Sequence, residues 1–114
     1  MIAIVPGTAE HVRMMGNELP RSARVLAAVD GERVLGIAGL YPDGCRRVAF
    51  MHITDELRRH PRVLVRAGRQ FIGWMKASAS PVHALCDEEI TSAARYLEHL
   101  GFRRLYKGVF AWQV

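Results

Sequence analysis

The segment Arg47 to Ile53 is apolar on both of its faces: Val48 and Phe50 point one way, Ala49, Met51 and Ile53 the other. A strand has a side-chain period of two, so this one fits neither a wet sheet face nor an exposed edge. It belongs in the middle of a sheet covered on both sides. The rest of the chain must then supply strands beside it and helices above and below.

The neighbouring segments meet that demand. Val25–Val29 and Val34–Leu40 are β-rich runs around Asp30-Gly31-Glu32-Arg33, a hairpin signal because Asp and Gly tolerate positive φ. Gly36 and Gly39 either weaken the second strand or let another backbone approach it closely. Pro42-Asp43-Gly44 makes the next turn, Ile2–Val5 is a first strand closed by Pro6-Gly7, and Val82–Cys86 is a fifth. Arg103–Val114 supplies one or two final strands, broken near Lys107-Gly108.

Helical periodicity fills the gaps. Thr8 caps a helix whose Val12, Met15 and Leu19 share one face before Pro20 ends it. After a polar stretch, Thr54 to Arg59, Pro61 opens a long amphipathic helix running to about Ala77. Leu64, Ala67, Phe71, Trp74 and Met75 form its buried face, and Arg62, Arg66, Arg69 and Lys76 form a basic stripe. Ser78 to Pro81 is a loop. In the last helix Asp87, Glu88 and Glu89 suit the N-terminal dipole, Ala93, Leu97 and Leu100 face the core, and Gly101 is the C-cap. The order is β-α-β-β-β-α-β-α-β(-β), an α/β chain with a mixed sheet and helices on both faces.

At 114 residues this is one domain with one core, and 50% hydrophobic composition excludes a disordered chain. No apolar run is long enough to cross a bilayer and no secretory signal opens the sequence, so a cytoplasmic location without membrane partners is expected. Cys45 and Cys86 are too few for a disulfide scaffold and lack metal-ligand spacing; two buried thiols are the expectation, with no metal site. Seven of the fourteen arginines fall between Arg46 and Arg69, where the only acids are Asp55 and Glu56. Such clustering marks either an anion site or a solvated helix face. Nucleic acid ranks last among partners, because net charge +5 is modest and no aromatic residues interleave with the arginines.

The run Thr91-Ser92-Ala93-Ala94-Arg95-Tyr96-Leu97-Glu98-His99-Leu100-Gly101-Phe102, an amphipathic helix ending in Leu-Gly-Phe, resembles the last helix of the GNAT superfamily of acyl-CoA N-acyltransferases. The hairpin ending in Gly36-Ile37-Ala38-Gly39 is similar too. The resemblance implies a single-domain fold with a mixed, mostly antiparallel central sheet of six or seven strands and about three helices on both faces. More narrowly, the Thr-Ser-x-x-Arg-aromatic-Leu run and the basic helix resemble small GNAT-like proteins of tailed bacteriophages, of internal-virion or assembly type. That likeness implies a protein partner or a second copy of the chain, such as a phage-particle component, in the host cytoplasm or the virion.

The family splays its fourth and fifth strands and threads acetyl-CoA between them, with the pyrophosphate at the start of the following helix. By resemblance Ile53, Arg58, Arg59, Arg62 and Val63 would bind the cofactor here. The corresponding stretch Arg58-Arg59-His60-Pro61-Arg62-Val63 contains no glycine, so arginine side chains would grip the phosphates where the family uses backbone. The family's thiolate-protonating tyrosine corresponds to Leu97; Tyr96 lies about 100° round the helix, which makes it a packing residue first and an acid second. His52, on the strand that borders the cleft, and Glu88 or Asp87 are the candidate bases. Cys86 has no activating partner in the sequence and is set aside as a nucleophile. Three readings follow: an assembly or interaction protein with a degenerate acetyl-CoA site and no cofactor; an active N-acetyltransferase on a small amine, peptide or protein; and a basic nucleic-acid-binding regulator.

Overall fold

The computed structural model of the protein describes residues 1–16, 18, 22–78, 80–85 and 91–112, with 91–93 described for the backbone alone. The strands are β1 (Ala3–Pro6), β2 (Arg24–Asp30), β3 (Arg33–Asp43), β4 (Arg46–Ile53), β5 (Val82–Leu85), β6 (Phe102–Tyr106) and β7 (Val109–Trp112). The helices are α1 (Ala9–Met14), α2 (Asp55–Arg58), α3 (Pro61–Ala77) and α4 (Thr91–His99). All seven strands form one sheet in the order β1-β2-β3-β4-β5-β7-β6. Every pairing is antiparallel except β4 with β5, where α3 makes the crossover that parallel strands need. The doubly apolar segment lies at the centre, as its two faces require.

Val12 of α1 packs on Val25, Ala27 and Ile37, with Phe50 against them. On the opposite face Phe71 and Met75 of α3 and Leu97 and Leu100 of α4 close over Ala49, Ala84 and Phe110. Leu57 of α2 and Val63 join Ala28 and Leu35 beside that cluster. Leu35 reaches it because the β2–β3 register slips between Ala28 and Val29. The extra residue turns Leu35 to the α2 side, although Ile37 faces α1.

The helices depart from expectation at two places. α1 stops at Met14, with Met15 as its C-cap and Gly16 at φ +78°; Leu19 and Pro20 lie outside the described residues. Its start is as expected: Thr8 accepts from the His11 N–H, and His11 Nδ1 accepts from the Thr8 N–H. Within the polar stretch before Pro61, Thr54 caps α2 by accepting from the Leu57 N–H and donates its own hydroxyl to the Leu35 carbonyl. Four residues are too short for periodicity to reveal, and the capping threonine is the only signal. Cys45, expected to be buried, is an exposed free thiol, because it occupies the turn between β3 and β4 with Gly44.

Gly36 and Gly39 are sites of close approach. A Cβ on Gly36 would come within 2.5 Å of Leu57 Cδ2, so α2 rests directly on that strand. A Cβ on Gly39 would lie 2.5 Å from Phe50 Cζ and 2.8 Å from the Arg24 carbonyl oxygen. The ring can turn aside, whereas the β2 backbone cannot. Gly39→Ala is therefore expected to destabilise the protein by about 1–3 kcal/mol, read from the urea unfolding midpoint.

Candidate functional site

β4 and β5 pair only at Arg47–Val82, Val48–His83 and Ala49–Ala84 among the described residues. β4 then runs on through Phe50, Met51, His52 and Ile53, still paired with β3 on its other side. Leu85, one residue past the last pair, is bonded to β7 and is 67% exposed. Among the described residues the sheet therefore opens between its two parallel strands. Past the opening β4 leads through Thr54 into α2 and the turn to α3.

That turn has its backbone N–H groups already engaged. Arg58 donates to the Thr54 carbonyl, Arg59 to Glu56, His60 to Leu57, and both Val63 and Leu64 to His60. Pro61 has no N–H, which leaves that of Arg62 as the one without an acceptor among the described residues of this turn. His60 provides no side-chain cap to α3. An anion here would meet one N–H, the positive end of a 17-residue helix, and side chains.

The side chains divide sharply. Of the two acids in the arginine-rich stretch, Glu56 accepts from Arg33 through both oxygens at 2.8 and 3.0 Å, which raises the Arg33 pKa. Asp55 accepts from Arg58 at 2.7 Å. Arg58 is thus held on α2, whereas Arg59 and Arg62 are exposed and have no ion pair with a described residue. Ile53 and Val63 come together in the apolar cluster beneath α2 and α3. Their side chains face the core, and the Val63 N–H is bonded.

His52 is exposed at the end of β4, on the face covered by α1. His83 of β5 occupies the same face, opposite Val48. Four residues of β4 separate the two levels, about 13 Å along the strand, so the histidines do not form a pair. His83 Nδ1 is buried without a hydrogen-bond partner. Sequence reading passed over His83, since a single histidine within a short apolar strand gives no periodic signal. Glu88, Asp87 and Cys86 lie outside the described residues. No group of His, Cys, Asp and Glu among the described residues could hold a metal ion, and no described helix is long and apolar enough to cross a membrane.

Tyr96 is half-buried and points at α3: its hydroxyl donates to the Leu64 carbonyl at 2.9 Å. This is the geometry of a packing residue that ties α4 to α3. Burial pushes its hydroxyl from 10.0 up to about 12. The folded state thus holds the proton more tightly than the unfolded chain, so the tyrosine's contribution is complete below pH 10 and is lost as pH rises towards 12. Tyr96→Phe should cost about 1 kcal/mol at neutral pH. Its urea midpoint should then converge on that of the wild type through the alkaline range.

No protein-family model and no curated protein sequence matches this chain. Solved structures do. A GNAT-family acetyltransferase from Staphylococcus aureus superimposes with TM-score 0.73 at 12% identity, covering 98% of each chain. The protein smu.2055 from Streptococcus mutans gives 0.64 at 14%, covering 97% of this chain and 98% of that one. The Arabidopsis thaliana protein NAA60, solved in complex with acetyl-CoA, gives 0.64 at 11% over 98% of both. At these identities the likeness is one of architecture: this chain has the fold of the GNAT acetyltransferases.

Proposed function

We propose that this protein binds an acyl-CoA at the opening between β4 and β5 and transfers the acyl group to an amine. The observation that carries the reading is the opening beyond Ala49 and Ala84 on a strand that runs on to the uncapped start of α3, with Arg59 and Arg62 exposed there and in no ion pair with a described residue. The residues suit the cofactor's phosphates through side chains: two guanidiniums and the Arg62 N–H would take the place of a glycine-lined backbone cradle. The bound thioester would supply an activated acyl group. Of the chain's own residues, His52 would take the proton from the incoming amine at an imidazole nitrogen; its exposure near the end of β4 supports that role. Phe50 and Met51, both half-buried, would line the way to it.

A second reading is an assembly or interaction protein, similar to the phage proteins, that retains the fold and has lost the cofactor. The engaged N–H groups of the α2–α3 turn and the Tyr96–Leu64 hydrogen bond favour it. Thermal unfolding with added acetyl-CoA separates the two. A ligand at about 100 times its Kd adds about 2.7 kcal/mol, several degrees for a domain of this size. The first reading requires that shift; an unmoved midpoint at millimolar acetyl-CoA supports the second.

A further inference from the structure

The exposed face of α3 is more basic than a solvated helix needs to be. Its 17 residues include Arg62, Arg66, Arg69 and Lys76 and no acid. Spacings of four, three and seven set these cations in one stripe opposite the buried Val63, Gly68, Phe71 and Met75. Arg33, Arg46 and Arg58 each pair with a nearby carboxylate, but no residue of the stripe has an ion pair with a described residue. Arg62 stands in the first turn against the helix dipole, and Arg62 with Arg66 is a like-charge i, i+4 pair. These placements oppose helix stability, and nothing described within the chain offsets them.

Two further features lie on the same face. Arg62, Arg66 and Arg69 surround a shallow, open surface with Pro61 and Val65, the latter 43% exposed. Gly73 lies in the stripe between Arg69 and Lys76, and a Cβ there would meet nothing within 4 Å. Glycine in a helix interior is unfavourable, and packing against the described residues gives no reason for it. It leaves room for another main chain to come close.

We propose that this face of α3 docks an acidic protein segment that also carries an apolar side chain. The carboxylates would pair with Arg66, Arg69 and Lys76, the apolar group would cover Val65, and the partner's backbone would pass over Gly73. From Arg62 to Lys76 the stripe spans about 21 Å at about 1.5 Å per residue, enough for several carboxylates. A phosphodiester backbone would satisfy the arginines but leave Pro61 and Val65 uncovered, which favours polypeptide over nucleic acid. The inference is independent of acyl-CoA binding, since Arg66, Arg69 and Lys76 lie beyond the helix start.

The test is a titration of the ¹⁵N-labelled protein with polyglutamate, with a glutamate–tyrosine copolymer and with a DNA duplex. Both acidic polypeptides should shift amides of residues 62–76, and the copolymer should bind the more tightly. Arg66→Glu with Arg69→Glu should weaken both by at least about tenfold. Val65→Ser should remove only the copolymer's advantage. The double variant should keep the wild-type dispersion of its ¹⁵N amide spectrum, which reports that it is folded. Shifts outside α3, unchanged binding by the double variant, no binding at all, or tighter binding of DNA would each overturn the proposal.

Discussion

Replacing Phe110 with alanine should destabilise the protein by about 3–5 kcal/mol, a large part of the roughly 5–15 kcal/mol that holds a domain together. Phe110 is fully buried, at 0% exposure, in the cluster that joins the sheet to α3 and α4. It sits on β7, which enters the sheet between β5 and β6, so its ring anchors the strand that β5 depends on beyond the opening. The cavity left behind could collapse little, because Phe71, Met75 and Phe102 around it are themselves buried. The urea midpoint should fall sharply with an unchanged slope. Phe50→Ala, on the α1 face and only half-buried, should cost clearly less.

Arg59→Ala with Arg62→Ala is expected to weaken acetyl-CoA binding by about tenfold per arginine, the loss of a charge-assisted hydrogen bond in each case. Arg58→Ala should change it far less, since that guanidinium is held by Asp55. The contrast between neighbouring arginines is the sharpest consequence of the ion-pair arrangement around α2. All three side chains are exposed, so none of the variants should disturb folding. Equal losses from Arg58→Ala and Arg59→Ala would mean that bulk positive charge, and not the site, attracts the ligand.

The layout of the sheet was legible because its signals are local and strong. The β4 segment announced a central strand by its two apolar faces, and the Asp30–Arg33 turn announced a hairpin that pairs Asp30 with Arg33. Pro61 and the 3–4 spacing from Leu64 fixed α3 at Pro61–Ala77. Gly101, at φ +105°, ended α4 where a helix C-cap was expected. What stayed hidden depends on contacts between distant segments. The insertion of β7 between β5 and β6 is a tertiary choice with no local mark. The fate of Arg58 rests on a short helix carrying Asp55, and the loss of the N–H cradle rests on which carbonyls that same helix turns towards the start of α3. Tyr96 could be placed on its helix from the sequence, but its partner, the Leu64 carbonyl, belongs to another element. The site is therefore less legible than the fold.

In the proposed function side chains replace backbone in holding an acyl-CoA at the opening of the sheet. Calorimetric titration of the wild-type protein with acetyl-CoA at moderate salt, with desulfo-CoA as the control for the thioester end, tests it most directly. Saturable binding in the micromolar range is expected from both ligands, because the grip is on the phosphates. No heat of binding from either ligand up to about millimolar concentration would contradict it, and would leave a GNAT fold that works without the cofactor.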